Sequence, residues 1–226
     1  MGTRAASSLV GLLLCLACGL PRDADDTLKQ VEHGVIRVGV SQKPPWTVVS
    51  GRSVTGVEPA LVTALARRLG SRVRWIVGAE SDLMQQLQGR ELDLVIAGMT
   101  AETPWKKKVG LTRPFYTDSV MVSALPTEVL QGHTVSVEPD DPVALQLRKK
   151  KAIPEYLTDL RAAHGPVAAP SWQLASLGRE PSAILLQKRP HVMAVAPGEN
   201  AWLLQVDRFL YQQRSQIPRM LRRIAR

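Results

Sequence analysis

Hydrophobic positions in the first half of the chain alternate between short apolar runs and helical periods. Gly34 to Val40 places β-branched residues between glycines and predicts a strand. In Pro44-Pro45-Trp46 two prolines forbid helix and hold an extended loop. That loop presents Trp46 at the strand's carboxyl end, as a core plug or as a ligand platform. Gly51 to Gly56 reads as a hairpin-like turn. Glu58 to Leu69 repeats apolar residues at Leu61, Ala64, Leu65 and Leu69, a helical face closed by Gly70. Val73 to Val77 predicts a second strand. Ser81 to Leu87 predicts a second amphipathic helix, with Ser81 as N-cap. The run Leu92 to Ala97 is a buried strand ending in the small-residue turn Gly98-Met99-Thr100, where a ligand can approach the backbone. Strand-helix-strand-helix-strand means an α/β unit with a mostly parallel sheet.

The second half is more irregular. Asp118 to Leu125 and Gly132 to Val137 predict strands. Val143 to Lys151 predicts a helix, with Asp141 as its N-cap and Pro142 at its first position. Pro154 to Ala163 carries a further helical period. Val167 to Ala169 predicts a short strand and Trp172 to Leu177 a helical turn. Two strands follow at Ser182 to Gln187 and His191 to Ala196, then helices at Ala201 to Gln212 and Ile217 to Arg226.

Charge changes the picture little. The 226 residues carry a formal +9. The basic residues cluster only at Lys106 to Lys108, Arg148 to Lys151 and the C-terminus, without interleaved aromatics, so nucleic acid is not an expected partner. The N-terminus does change it. Arg4 precedes an apolar, Leu-rich stretch from Ala5 to Leu16, the length of a signal-peptide core and too short to span a bilayer. Residues 1–19 are expected to be a signal peptide cleaved after Gly19, with 20–33 a linker. Lipidation at Cys18 is the less favoured alternative. Both cysteines, Cys15 and Cys18, lie in this leader, so the exported chain has no disulfide or thiolate site. The four histidines have no metal spacing, and no Ser-His-Asp pattern or phosphate loop is present.

Taken in order, several segments resemble one family. They are Val35-Ile36-Arg37-Val38-Gly39-Val40, Pro44-Pro45-Trp46, Gly56-Val57-Glu58, Leu65 to Gly70, Leu87 to Asp93, Ala97 to Thr100 and Pro114-Phe115-Tyr116. With this spacing the chain resembles the bacterial extracellular solute-binding proteins of family 3, the periplasmic receptors of polar amino-acid ABC transporters. The resemblance implies a type-2 periplasmic-binding-protein-like fold of two α/β lobes, with lobe 1 at 34–124, a shortened lobe 2 at 125–189, and a return to lobe 1 at 190–226. One strand-helix portion is expected to be missing from lobe 2, between Lys151 and Pro154. The resemblance further implies a periplasmic monomer that needs no cofactor, holds a small polar or aromatic solute between its lobes, and docks on an inner-membrane ABC permease.

Its site residues follow from the same resemblance. Gly98, Met99 and Thr100 would give polar contacts, and Trp46, Trp105 and Tyr116 apolar walls. The segment Thr103-Pro104-Trp105-Lys106 departs from the family at its key position, because Trp105 stands where the carboxylate-gripping arginine belongs. A tryptophan cannot supply two charged donors. Lys106 and Arg113 are substitutes out of register. On the lobe-2 loop two carboxylates, Asp140 and Asp141, stand where the family offers amides and hydroxyls, which would suit a cationic group or simply repel anions. Asp140 is the candidate contact there, and Asp141 is read as a cap. Two alternatives stand beside transport: a periplasmic sensor or docking module, and a cyclohexadienyl-dehydratase-like enzyme. The enzyme needs a general acid, for which Glu58, Glu138, Asp140 and Glu199 are candidates.

Overall fold

The computed structural model describes residues 22–123, 125 and 129–224. The leader, with Cys15, Cys18 and the expected cleavage site, lies outside the described residues. The chain begins with helix α1 (Thr27–Val31), then β1 (Val35–Val40), the hairpin β2 (Val48–Ser50) and β3 (Ser53–Thr55), α2 (Val57–Arg68), β4 (Arg72–Val77), α3 (Glu80–Gln88), β5 (Leu94–Ile96) and β6 (Gly110–Leu111). Strands β4, β1 and β5 are parallel. Apolar side chains of α2, with Leu61 and Leu65 at most 3% exposed, close one face of the sheet, and Leu83, Met84 and Leu87 of α3 close the other. Gly56 is required where the hairpin turns into α2: its φ is +117°, and a Cβ there would meet the Trp46 carbonyl oxygen at 2.5 Å. The carbonyls of Pro45 and Trp46 accept from the free N–H groups of Val57 and Glu58. The proline loop is thereby fastened to the start of α2.

Strand β7 (Tyr116–Ser123) leads into a second sheet. There follow β8 (Thr134–Val137), α4 (Val143–Lys149), β9 (Ile153–Tyr156), a 3₁₀ turn at Leu160–Ala162, β10 (Ala168–Pro170) and α5 (Ser171–Ser176). The eleven-residue β11 (Pro181–His191) pairs antiparallel with β7, and β10 takes the other edge of β7. Strand β12 (Ala194–Val195) then enters the first sheet, completing the order β4-β1-β5-β12-β6. Helices α6 (Asn200–Gln213) and α7 (Ile217–Ile224) pack Trp202, Phe209, Ile217 and Leu221 into the first sheet's core. Two α/β lobes thus share the crossing strands β7 and β11. No helix of the described residues is long and apolar enough to cross a membrane.

Three local expectations need correction. The helical period at Pro154 to Ala163 forms strand β9 and a 3₁₀ turn instead. The N–H groups of Ile153 and Leu157 donate to the carbonyls of His133 and Val137, so alternation points the Pro154 nitrogen away from β8, as an edge strand allows. Strand β9 follows α4 directly. Residues 157–167, carrying one 3₁₀ turn, make the whole connection to β10. The segments read as strands at Ser182 to Gln187 and His191 to Ala196 are divided differently. Pro190 sits within β11, an edge strand that needs no N–H on its outer side. Ser81 does not cap α3, which begins at Glu80; its hydroxyl bonds Asp82 instead. The capping reading of Asp141 holds chemically: its Oδ1 accepts from the Val143 N–H at 2.8 Å.

Candidate functional site

A cleft of about 1050 Å³ opens between the two lobes. One wall is the loop Lys43 to Trp46 with Gly98, Met99 and Thr100. The facing wall is the loop Glu138 to Pro142, the segment Thr158 to Arg161, and Trp172 with Gln173. Asp118 and the run Gln187 to His191 join them where the strands cross.

Trp46 sits as a core plug would and also faces the cleft. It is 4% exposed and belongs to the core, yet it lines the cleft. Its ring stacks on His191, with centroids 3.8 Å apart and planes 28° from parallel, and meets Phe115 edge-on at 6.1 Å. Gly98 has φ +59°, and a Cβ there would lie 2.8 Å from the Lys43 side chain. Its N–H donates to Glu58 Oε2 at 2.9 Å, so a carboxyl group of the protein already holds that donor. Met99 is buried, and its carbonyl accepts from Val192. Thr100 lines the cleft and bridges to His191. Asp140 is exposed on the facing loop at φ +61°.

Trp105 and Tyr116 are not in the cleft lining. Trp105 packs on the outer core beside α3. Its indole N–H donates to Glu80 Oε1 at 3.0 Å, with the Lys108 ammonium 5.5 Å from the ring. Tyr116 is half-buried against Trp46 and the first core; burial, helped by the Asp118 charge, pushes its phenol up to about 12. Lys106 pairs with Glu102 and Arg113 with Asp207, so neither replaces the missing arginine. Since Trp105 points into the outer core, Trp105→Arg is expected to leave amino-acid affinity within about twofold, measured by calorimetry. Amino-acid binding that appears or improves would restore Trp105 to the cleft.

The expected general acids do not form a catalytic set. Glu58 is fully buried, outside the cleft lining, and burial raises its carboxyl to about 8. Glu199 is also buried and accepts from the Asp25 and Thr27 N–H groups and from Arg90. Glu138 lines the cleft and accepts from Gln173. Among the described residues no group of three His, Cys, Asp or Glu is placed to hold a metal.

Sequence reasoning missed the residues at the crossing. Arg189 of β11 donates to Asp141, tying the crossing strand to the start of α4. Asp118 of β7 and His191 of β11 form a buried pair, with Nε2 to Oδ2 at 3.1 Å. The legible signal was a lone carboxylate in the otherwise apolar strand DSVMVSAL. The lining is acidic as a whole. Seven carboxylates, Glu80, Glu102, Asp118, Glu138, Asp140, Asp141 and Asp159, face four cations, Lys43, Arg161, Lys188 and Arg189. The chain outside the cleft is strongly basic, so the cleft reverses the sign of the molecule.

Residues 36–217 match the model of the bacterial extracellular solute-binding proteins, family 3. No curated protein sequence matches the chain significantly. Among solved structures, an ancestral cationic amino acid solute-binding protein is similar at 18% identity and TM-score 0.67, over 87% of this chain and 97% of that one. The unliganded, open L-cystine solute receptor of Neisseria gonorrhoeae is similar at 12% identity and TM-score 0.66, over 84% and 91%. A lysine-complexed binding component of an ABC transporter from Wolinella succinogenes follows at 16% identity and TM-score 0.58, over 83% and 94%.

Proposed function

The chain belongs to the bacterial extracellular solute-binding proteins, family 3, and from that premise we propose that its cleft captures a small solute carrying a positive charge. Its fold is the two-lobed, type-2 periplasmic binding architecture. The observation that carries the ligand class is the excess of carboxylates lining the cleft of a basic protein. Carboxylates attract a cation and repel an anion through a partly water-excluded gap. Cationic amino acids are the first candidates, because the solved relatives include a cationic amino acid binder and a lysine complex. The proposal extends to export of a monomer to the periplasm and delivery of the solute to an inner-membrane ABC permease. It also divides the chain at 34–124, 125–189 and 190–226 into the first lobe, the second lobe and the return.

Thermal-shift and calorimetric titration against lysine, arginine, cystine, glutamate and neutral amino acids tests the ligand class. A cationic ligand at about a hundred times its Kd stabilises the protein by about 2.7 kcal/mol. For a chain of this size that raises Tm by roughly 5–10 °C. Stabilisation by anionic amino acids alone overturns the reading. No binding at millimolar concentration favours the docking-module alternative. The dehydratase alternative is disfavoured by the same charge pattern, since a prephenate-like acid would enter against excess carboxylate; its turnover, lost on replacing one cleft carboxylate, would reinstate it.

A further inference from the structure

The crossing strands put a specific pair of groups at the junction of the lobes. In the β7–β11 ladder Arg189 lies opposite Asp118, and His191 opposite Tyr116. Period-two alternation sets Asp118, Arg189 and His191 on one face. The side chains of His191 and Asp118 are 4% and 3% exposed. Arg189, the cation nearest Asp118 by register, is engaged by Asp141 and by Gln187. Among the described residues the imidazole is therefore the one side-chain partner of the Asp118 carboxylate.

The proton count along this pair is informative. An ionised carboxylate only accepts, so the proton shared with Asp118 Oδ2 belongs to His191 Nε2. Asp118 Oδ1 and His191 Nδ1 are both buried and have no partner among the described residues. Buried polar groups in native structures are almost always paired, so the bare carboxylate oxygen Oδ1, on a residue that lines the cleft, signals a missing donor. Trp46, stacked on the imidazole, fixes the ring.

Building on the cationic reading above, we propose that Asp118 anchors the solute's charged head, an ammonium or guanidinium group donating to Asp118 Oδ1 while His191 Nε2 holds the other carboxylate oxygen. A cation with N–H donors satisfies Oδ1 and neutralises the carboxylate; a neutral donor does only the first and an anion neither. Oδ1 is covered in the present conformation. The cation reaches it as the lobes part about β7 and β11, which couples binding to the hinge. The anchor makes the crossing strands themselves, rather than the Gly98 turn, the determinant of ligand charge.

Two measurements on the full chain test this. The first is ¹⁵N NMR of His191 at neutral pH, without and with L-arginine or L-lysine. The expected result is that the ring resonances of His191, bonded to the carboxylate that meets the cation, move when ligand saturates the protein. Ring resonances unmoved at saturation overturn the proposal, and this arm needs no variant. The second is calorimetry of Asp118→Asn and His191→Gln with the same ligands, folding being checked by circular dichroism. Asp118→Asn is expected to weaken binding by about tenfold or more, as loss of a charge-assisted hydrogen bond does. His191→Gln is expected to lose less, because the carboxylate that meets the cation remains. If wild type binds arginine or lysine and Asp118→Asn binds equally well, the anchor alone falls. If wild type binds neither cation, the cationic reading falls with it.

Discussion

Raising the pH from about 5 to about 8 is expected to lower the unfolding free energy by on the order of 3 kcal/mol through Glu58 alone. Burial raises this carboxyl to about 8, against the lowering effect of the Gly98 and Ala97 backbone hydrogen bonds. In the unfolded chain the same group titrates near the ordinary carboxylate value of about 4.3. Between these values the native state holds a proton that the unfolded state has lost. Stability therefore falls as pH rises through this window, the opposite of the usual salt-bridged carboxylate. Glu58→Gln keeps a neutral group whose carbonyl can accept from the Gly98 N–H, so the variant is expected to remove this component of the slope. At about pH 8 it should exceed wild type by an amount of the same order. Urea denaturation of both proteins at several pH values reads the difference directly, because titrations elsewhere cancel in the comparison. Parallel profiles would show that Glu58 is solvated or paired in solution. The site carries functional weight too. Glu58 joins the start of α2 to the turn at the cleft's edge, so the same titration bears on a wall of the binding site.

The first lobe was legible because its local signals agree with its tertiary pairing. The β-branched run before Val40, the helical face from Leu61 to Leu69 and the glycine stop after it all survive in β1 and α2. The second lobe was harder because local and tertiary preferences diverge. Pro-Glu-Tyr-Leu-Thr-Asp-Leu opens like a helix, with proline first and a carboxylate next. The edge of β8 offered backbone partners to alternate N–H groups, and that pairing prevailed. In β11 a proline that looked like a boundary was harmless because its strand has a neighbour on one side only.

The site divides in the same way. The loops at Trp46, Gly98 to Thr100 and Asp140 could be placed by ordered spacing, and they do line the cleft. Spacing locates a residue along the chain without saying which way it faces. Trp105 holds the right place in the segment, but its indole turns to Glu80 and the outer core. Tyr116 starts the crossing strand and packs into the first core. The pair Asp118–His191 spans 73 positions, so the lone carboxylate was legible in its strand but its partner was not. It exists only because two lobe-crossing strands run antiparallel in one register. The charge reversal of the cleft was likewise invisible to a total of +9, since carboxylates from both lobes converge there.

Trp202→Ala is expected to destabilise the protein by about 3–5 kcal/mol, the range for truncating a buried aromatic. Trp202 lies on α6, fully buried in the core of the first sheet. Its indole N–H donates to the Asp93 carbonyl at 2.7 Å, where the chain enters β5. The Asp93 side chain is tied to Arg37 across the β1–β5 junction, so one residue is held from two sides. Trp202→Phe separates packing from hydrogen bonding: it keeps most of the ring and leaves a buried carbonyl without its donor, at about 1–3 kcal/mol. For a chain of this length the alanine variant should lose roughly 6–20 °C in Tm. Because Trp202 does not line the cleft, the folded fraction of either variant should bind solute with unchanged affinity. Calorimetric melting with and without ligand checks both parts. An alanine variant within about 1 kcal/mol of wild type would mean that the returning helices contribute little to the first lobe. Altered affinity in the phenylalanine variant would instead show that β5, through Asp93, transmits strain to the Gly98 turn at its far end.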